Sequence, residues 1–383
     1  MELPYPSLMF LGDVDRVSAK TASGVAHWRP EACLAQLRLP GCEADLGLPD
    51  MTPKAAYEAG ARSLLIGVAN AGGYIPPHWE AVLIEALEAG LDLVSGLHTR
   101  MADLPQVAET AKRLGRRLLE AREPAPAFCV VGTGDKRTGL RLLTVGTDCA
   151  VGKMYAALAI TKELKARGAD ADFRATGQTG IFIAGSGAPI DAIISDFVAG
   201  AAERLSPDAA PDHWDVIEGQ GSLFHPAYAG VTLGLLHGSQ PDALVLCHDA
   251  TRTALDGLET FPTPSLAEAI ALNLRLASLT NPAVRMAGIC INTSRLTPRR
   301  PLTICVTPRP PSACRAAIRC GPAWRPLSRV CWRRKPARTP PDAPDRADRG
   351  PRPDRAVRHR PSRLYRGQCP AGGDRGARRD RAG

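Results

Sequence analysis

The run from Leu142 to Leu158 sets a short apolar strand, a glycine-bounded loop ending in Gly152-Lys153 and an alanine-rich helix in direct succession. That order builds a phosphate cradle. A strand delivers the chain to a tight loop, whose backbone N–H groups converge with the free N–H groups at the next helix N-terminus. Gly146 and Gly152 allow backbone angles and a close approach that a side chain would block, and Lys153 adds a positive charge over the phosphates. The segment therefore selects a diphosphate or polyphosphate before any other chemistry is considered.

Against the pattern G-x-x-x-x-G-K-[ST] the chain departs twice: the loop from Gly146 is one residue longer, and Met154 stands where a hydroxyl is expected. The second departure weighs more. The hydroxyl of such loops ligates Mg²⁺, and a thioether is a poor ligand for so hard a cation.

Charge divides the 383 residues unevenly. Of the 48 basic and 39 acidic side chains, 23 and 6 fall in residues 298–383, leaving 25 basic and 33 acidic before them. An acidic body is thus joined to a basic tail, and the net +9 describes neither, so a nucleic-acid partner does not follow from overall charge. The tail holds 22 Arg against one Lys, 15 of the 34 prolines and 5 of the 11 cysteines, with no helical or strand period. It is expected to be disordered. Three readings compete for it: an Arg-rich arm for RNA or acidic surfaces, a zinc site, and an out-of-frame translation of a GC-rich gene. Cys305, Cys314, Cys320 and Cys331 lack the paired knuckles and partner histidines that zinc requires. The preferred expectation is the frameshift, breaking near Leu296 to Arg300.

The start Met1-Glu-Leu-Pro-Tyr-Pro lacks a signal-peptide pattern, and no segment has the length of a membrane span. Cys33, Cys42, Cys129, Cys149, Cys247 and Cys290 are scattered, so reduced thiols and a cytoplasmic location are expected. Oligomeric state, a homo-oligomer included, is not legible.

Apolar runs and helical spacings alternate, which implies α/β architecture with parallel sheets. An N-terminal Rossmann-like domain is expected over residues 1–131, a P-loop domain over 140–297 and the tail over 298–383. In the first, strands are read at Ser7–Asp13, Ser63–Ala69 and Leu91–Gly96, with helices at Pro53–Ala61, Trp79–Ala89 and Gln106–Ala121. Gly132–Gly139 reads as a flexible hairpin or linker. In the second, helices are read at Met154–Arg167, Ala192–Leu205 and Ser265–Ala277. Strands are read at Asp172–Ala175, Asp215–Glu218, Asp242–Asp249 and Met286–Asn292, the last of them, with a glycine-rich stretch at Gly180–Asp191. Polar residues collect just past the strand ends, in Asn70–Gly73, Gly96–Arg100 and Glu218–Gly221, where open α/β sheets bind ligands.

Gly146–Lys153, Val216-Ile-Glu-Gly-Gln-Gly221 and Ile291-Asn292 resemble the P-loop, the strand-end acid and the base-reading Asn of dethiobiotin synthetase and its relatives. A fuller set is similar to a bacterial and archaeal P-loop family, formerly of unknown function, that includes D-glutamate N-acetyltransferase. That set comprises Gly146–Met154, Ala175–Gly180, Ile194–Gly200, Glu218–Tyr228, Leu235–Ser239, Ile66–Gly73 and Ser95–His98. The resemblance spans roughly residues 5 to 297. It implies acetyl-CoA as donor and D-glutamate as acceptor, a small-molecule enzyme with no membrane partner; the alternatives are an ATP-dependent ligase or kinase using Mg·ATP and a non-catalytic nucleotide-binding protein. Coenzyme A carries an ADP-type diphosphate, which a P-loop can hold without γ-phosphate chemistry.

Acetyl transfer needs a base for the acceptor's ammonium, a donor for the thioester oxyanion and cations for the acceptor's carboxylates. Glu218 and His225 are the base candidates, with Lys153 in the catalytic set and the Gly219–Gly221 backbone as a source of N–H groups. Gly146, Thr147, Asp148, Cys149, Ala150, Val151, Gly152, Lys153, Met154 and Asn292 are expected to contact the cofactor. Arg174, Gln178, His98 and Asn70 are expected to face the acceptor, with Arg295 a second cation. Asp196 and Glu218 would hold a metal under the ATP reading. Asp148 is expected to order the loop rather than to catalyse. Cys149 is a weak candidate for an acyl-carrying nucleophile, because nothing in the sequence sets a His beside it.

Overall fold

The structure, a computed structural model, describes residues 3–70 and 72–293 and the backbone of 317–320. The first sheet is parallel, in the order β2-β1-β3-β4-β5, built from β1 (Ser7–Gly12), β2 (Cys33–Arg38), β3 (Ser63–Ile66), β4 (Asp92–Ser95) and β5 (Leu118–Glu120). Around it run α1 (Lys20–Trp28), α2 (Pro53–Glu58), α3 (Glu80–Glu88) and α4 (Pro105–Leu114). Period 2 sorts its side chains. Leu8, Phe10, Leu64, Ile66 and Leu93 join α3 and α4 residues Leu83, Leu87 and Val107 in one core cluster. Met9, Leu11, Leu65 and Val94 belong to a second cluster.

The second sheet is also parallel. It comprises β6 (Leu140–Gly146), β7 (Ala171–Arg174), β8 (Trp214–Ile217), β9 (Ala243–Asp249), β12 (Arg285–Asn292) and β13 (Ala317–Cys320), in the order β13-β12-β9-β6-β8-β7. A small antiparallel pair, β10 (Ala254–Leu255) and β11 (Leu258–Pro262), stands apart from it. The helices are α5 (Lys153–Ala166), α6 (Gln178–Ala184), α7 (Val198–Leu205), α8 (Ala229–Ser239) and α9 (Leu266–Ala277). Ser265 caps α9 in a reciprocal box with Glu268.

The two halves share a core through α6. Ile181, Phe182 and Ile183 of α6 lie in the same cluster as Met9, Leu65 and Val94 of the first sheet. Each such side chain taken fully from water stabilises the union by about 1.5–3 kcal/mol. Tyr5 Oη donates to Phe182 O at 2.5 Å, Arg29 Nη1 to Ile183 O at 3.0 Å, and Thr179 Oγ1 to Thr21 Oγ1 at 3.1 Å.

Several elements differ from the sequence reading. The helix expected to run to Ala121 stops at Leu114, because Gly115 turns left-handed at φ +64°, and the chain then re-enters the sheet as β5. The glycine-rich Gly180–Asp191 stretch begins inside α6, which Gly185 ends at φ +77°. Residues 190–192 and 195–197 form short 3₁₀ turns before α7, so the helix expected from Ala192 starts at Val198 and spans 8 residues. Gly132–Gly139 is neither a hairpin nor loose: Glu203 accepts from the Thr133 and Gly134 N–H groups, and Asp208 accepts from Thr138. Helices α1 and α8 and strand β2 have no counterpart in the reading, and the sheet runs one strand past β12. Arg295 and the rest of the tail from residue 298, with Cys305, Cys314 and Cys331, lie outside the described residues, as do the expected disorder and the expected frame break at Leu296 to Arg300. Of the six cysteines before it, Cys33, Cys42, Cys149, Cys247 and Cys290 are free thiols and Cys129 is disulfide-bonded, which corrects the expectation of six reduced thiols. Among the described residues no helix is long and apolar enough to cross a membrane.

Candidate active site at the phosphate loop

Parallel pairing sets the strand ends side by side. Gly146 pairs with Cys247, Leu143 with Ile217 and Asn292 with Asp249, so the loop after β6, Glu218 after β8 and the ends of β9 and β12 open on one edge. The loop itself is tightly wound. Ala150 has φ +50° and Gly152 φ +99°, a left-handed geometry that gathers N–H groups into an anion-binding concavity. Gly146 must be a glycine: a Cβ there would lie 2.8 Å from Asp148 O and 3.1 Å from Lys153 Nζ. Thr147 Oγ1 meets His248 Nδ1 at 3.0 Å, and Val151 packs in the core beneath.

Lys153 is the first residue of α5 and is buried. Its Nζ donates to Asp148 O at 2.8 Å, and burial holds its pKa below the ordinary lysine value. Asp148 is an internal strut, as expected of it. Its Oδ1 accepts from Cys149 N–H at 2.6 Å, while Oδ2 accepts from Arg252 Nη1 at 2.5 Å and Asp256 N–H at 2.8 Å.

Glu218 lies beside this lysine with both oxygens engaged. Oε2 accepts from Thr176 N–H at 2.9 Å and Gly177 N–H at 3.1 Å, and Oε1 from Gln220 Nε2 at 3.3 Å. Burial pushes its carboxyl up to about 7, against the lowering effect of those N–H groups and of Lys153, while Asp191 adds to the rise. A carboxyl with that pKa is matched to proton transfer near neutral pH. The next residue, Gly219, leaves no room for a side chain: a Cβ would fall 1.7 Å from Thr144 O. Its N–H donates to Thr144 Oγ1 at 2.9 Å, so this group is already used within the fold.

His225 is buried and both ring nitrogens are taken. Ala227 N–H donates to Nδ1 at 3.2 Å, so Nε2 carries the proton and donates to Asp256 O at 3.1 Å. The ring also packs on Tyr228 at 4.7 Å between centroids. It holds a turn, and as a base it would first have to give up a hydrogen bond. Cys149 does have a histidine near it: Asp148, Cys149 and His225 place ligand atoms within 4.8 Å of one another, the one such group of three or more among the described residues. The Asp148 and His225 atoms are satisfied by protein partners, and burial pushes the Cys149 thiol up to about 11. A thiol at that value is a poor nucleophile.

Other expected residues are placed differently. Arg174 does not face the crevice freely, because its Nε donates to the buried carboxylate of Asp215 at 2.6 Å. Asp196 is exposed on a 3₁₀ turn, and Asp191 is the acid whose charge acts on Glu218. Met154, the residue in place of the hydroxyl, packs in the core cluster shared by the two sheets. Asn292 ends β12 beside Asp249. From the first sheet, Asn70 and His98 sit on neighbouring loops: Gly73 N–H donates to Asn70 O at 3.1 Å, and His98 N–H to Gly73 O at 2.7 Å. Gln178 opens α6 against Gly96, where a Cβ would lie 2.2 Å from its Oε1. Arg252, Asp256, Arg122 and Asp191 stand around these groups without having been expected from the sequence. Arg252 follows the end of β9 by three residues, so the strand-end rule applied there would have found it.

Two parallel sheets, one Rossmann-like and one carrying a P-loop at the edge of its central strands, define a two-domain α/β protein. The chain belongs to the DUF1611 family, whose P-loop domain, a domain of unknown function, matches residues 130–307, and whose Rossmann-like N-terminal domain matches residues 37–124. A protein of Tritonibacter scottomollicae named D-glutamate N-acetyltransferase is 52% identical over 297 residues, covering 77% of this chain and 88% of that one. A Pseudoalteromonas protein of the same name is 48% identical over 306 residues, covering 80% and 92%. The crystal structure of a DUF1611 family protein from Anabaena variabilis superposes with a TM-score of 0.69 at 32% identity, covering 76% of this chain and 89% of the other.

Proposed function

We propose that this chain is a D-glutamate N-acetyltransferase drawing its acetyl group from acetyl-CoA. The observation that carries the reading is the agreement of two relatives of that name, at 52% and 48% identity, matched over 88% and 92% of their own lengths. The site is consistent with it. The loop from Gly146 to Lys153 offers a cradle for the diphosphate of coenzyme A, and Glu218 supplies a base matched to neutral pH. In the reaction the acceptor ammonium loses a proton to Glu218, the free amine attacks the thioester carbon, and a C–N bond forms as the C–S bond breaks. The coenzyme A thiolate takes up one proton, and one is released to water.

Met154 favours this reading over an ATP-dependent ligase or kinase. The position that would ligate Mg²⁺ is spent on packing between the sheets, so the loop is better suited to a diphosphate bound without the metal. The test is incubation of the full chain with D-glutamate and either acetyl-CoA or Mg·ATP. Stoichiometric free thiol and N-acetyl-D-glutamate by mass spectrometry, with acetyl-CoA alone, is the expected outcome. Product that depends on Mg·ATP and releases no thiol would move the assignment to the ligase or kinase.

A further inference from the structure

One ion pair, whose Asp191 acts electrostatically on Glu218, joins the two domains. Arg122, just past β5 of the first sheet, donates from Nε to Gly96 O at 2.5 Å and from Nη1 to Asp191 Oδ2 of the second domain. The Gly96 that receives Arg122 is also the glycine against which Gln178 is laid. The Gln178 Oε1 atom is buried with no hydrogen-bond partner, as is Asn70 Oδ1 on the adjoining strand-end loop. Buried carbonyl oxygens without a donor are costly, and they point to a ligand that brings one. His98 lies close enough to Arg122 and Asp191 to feel both charges, and Asp191 in turn acts on Glu218.

An acidic amino acid brings one ammonium and two carboxylates. Lys153, Arg174 and Arg252 are committed to buried partners: Lys153 to the loop, Arg174 to Asp215, Arg252 to Asp148. Arg122 differs, because its partner Asp191 is one-third exposed, at 34%. Exchange of that carboxylate for another keeps the planar fork of the guanidinium satisfied.

We propose that Arg122 is the specificity-determining residue that binds a carboxylate of the acceptor, with Asp191 holding its place until the acceptor arrives and the Gln178 amide oxygen receiving the ammonium. This assignment rests on the acetyltransferase reading. It makes the acceptor itself a bridge between the domains, since Arg122 and Gln178 come from opposite sides of the boundary.

The test is steady-state kinetics of the full chain and its Arg122→Gln, Arg122→Lys and Asp191→Asn variants, with D-glutamate and acetyl-CoA varied in turn. Arg122→Gln should raise the KM for D-glutamate by about tenfold to a hundredfold, the loss of a charge-assisted contact, while the KM for acetyl-CoA stays at the parent's value. Arg122→Lys should recover part of that loss, and Asp191→Asn, which removes the competitor, should lower the KM. A parent-like KM in Arg122→Gln would overturn the assignment alone; a parent protein releasing no thiol with D-glutamate would overturn the acetyltransferase reading as well. If Arg122→Gln does not fold, Arg122→Lys and Asp191→Asn decide the matter. KM shifts in opposite directions support the exchange, and a rise in both marks a purely structural latch.

Discussion

Met154 Cε rests against Gly24 of α1, 3.6 Å from the point where a Cβ would project from that glycine. The residue after the loop lysine thus spends its side chain on the seam between the two sheets. Thr179 of α6 closes the same contact, its Cγ2 lying 2.7 Å from that point, which explains why α1 carries a glycine in mid-helix despite the cost to helix stability.

A hydroxyl restored at this position should therefore damage packing rather than create a metal site. Met154→Thr is expected to lower the unfolding free energy by about 1–3 kcal/mol, from lost volume and a hydroxyl set among apolar neighbours. Urea denaturation reads the first effect, and isothermal titration should show acetyl-CoA affinity within about threefold of the parent's. Unchanged stability together with a new affinity for Mg·ATP would mean that the seam contact is idle.

Glu218 sets a pH dependence with a definite sign. A base must be ionised to act, and burial raises this carboxyl from 4.5 to about 7, so kcat/KM should climb as pH rises through about 7. Stability runs the opposite way. Between 4.5 and about 7 the folded state keeps a proton that the unfolded chain has lost, so the contribution is full below 4.5 and disappears as pH passes 7. Glu218→Gln should abolish the rising limb and lower kcat by roughly 10²–10⁴-fold, the usual worth of a positioned base. His225→Asn should keep the limb while lowering the melting temperature, because both ring nitrogens serve the fold. A limb that survived Glu218→Gln and vanished in His225→Asn would reverse the two roles.

The phosphate loop and the strands leading into Glu218, Asp249 and Asn292 were legible because each is written in contiguous residues, a Gly-Lys loop or an apolar run. What stayed hidden depends on contacts distant in sequence. Arg174 is drawn to Asp215 across 41 residues, and Arg122 reaches Asp191 across 69. Local signals were also outweighed. The spacing over Gln106–Ala121 suits one long helix, yet a left-handed Gly115 and an open sheet edge beside β4 convert its last turn into β5. The run Gly177–Gly180 resembles a loop by composition, but Ile181, Phe182 and Ile183 gain a shared core by coiling into α6.

Cys149 should be dispensable. Its thiol is pushed up to about 11 by burial, and the neighbouring His225 has no free nitrogen to deprotonate it. Cys149→Ala is expected to retain activity within a few-fold, and the parent mixed with acetyl-CoA alone should show no covalent acetyl adduct by intact-mass measurement. A 42-Da adduct, about the mass of one acetyl group, that is lost in Cys149→Ala would instead indicate a ping-pong route through the thiol.

Lys153 carries the heaviest burden in the loop, since it is buried, desolvated and tied only to Asp148 O at 2.8 Å among the described residues. Its charge is costly to the fold unless a phosphate accompanies it. Replacing it by methionine keeps most of the stem and removes the charge. Lys153→Met is accordingly expected to melt no lower than the parent in the absence of ligand, yet to bind acetyl-CoA at least about tenfold more weakly, the loss of a charge-assisted contact to phosphate. The stabilisation that acetyl-CoA gives the parent in a thermal melt should shrink accordingly. A variant with parent-like affinity for acetyl-CoA would place the coenzyme's diphosphate outside the loop, and the acetyl donor would have to be sought at another part of the crevice.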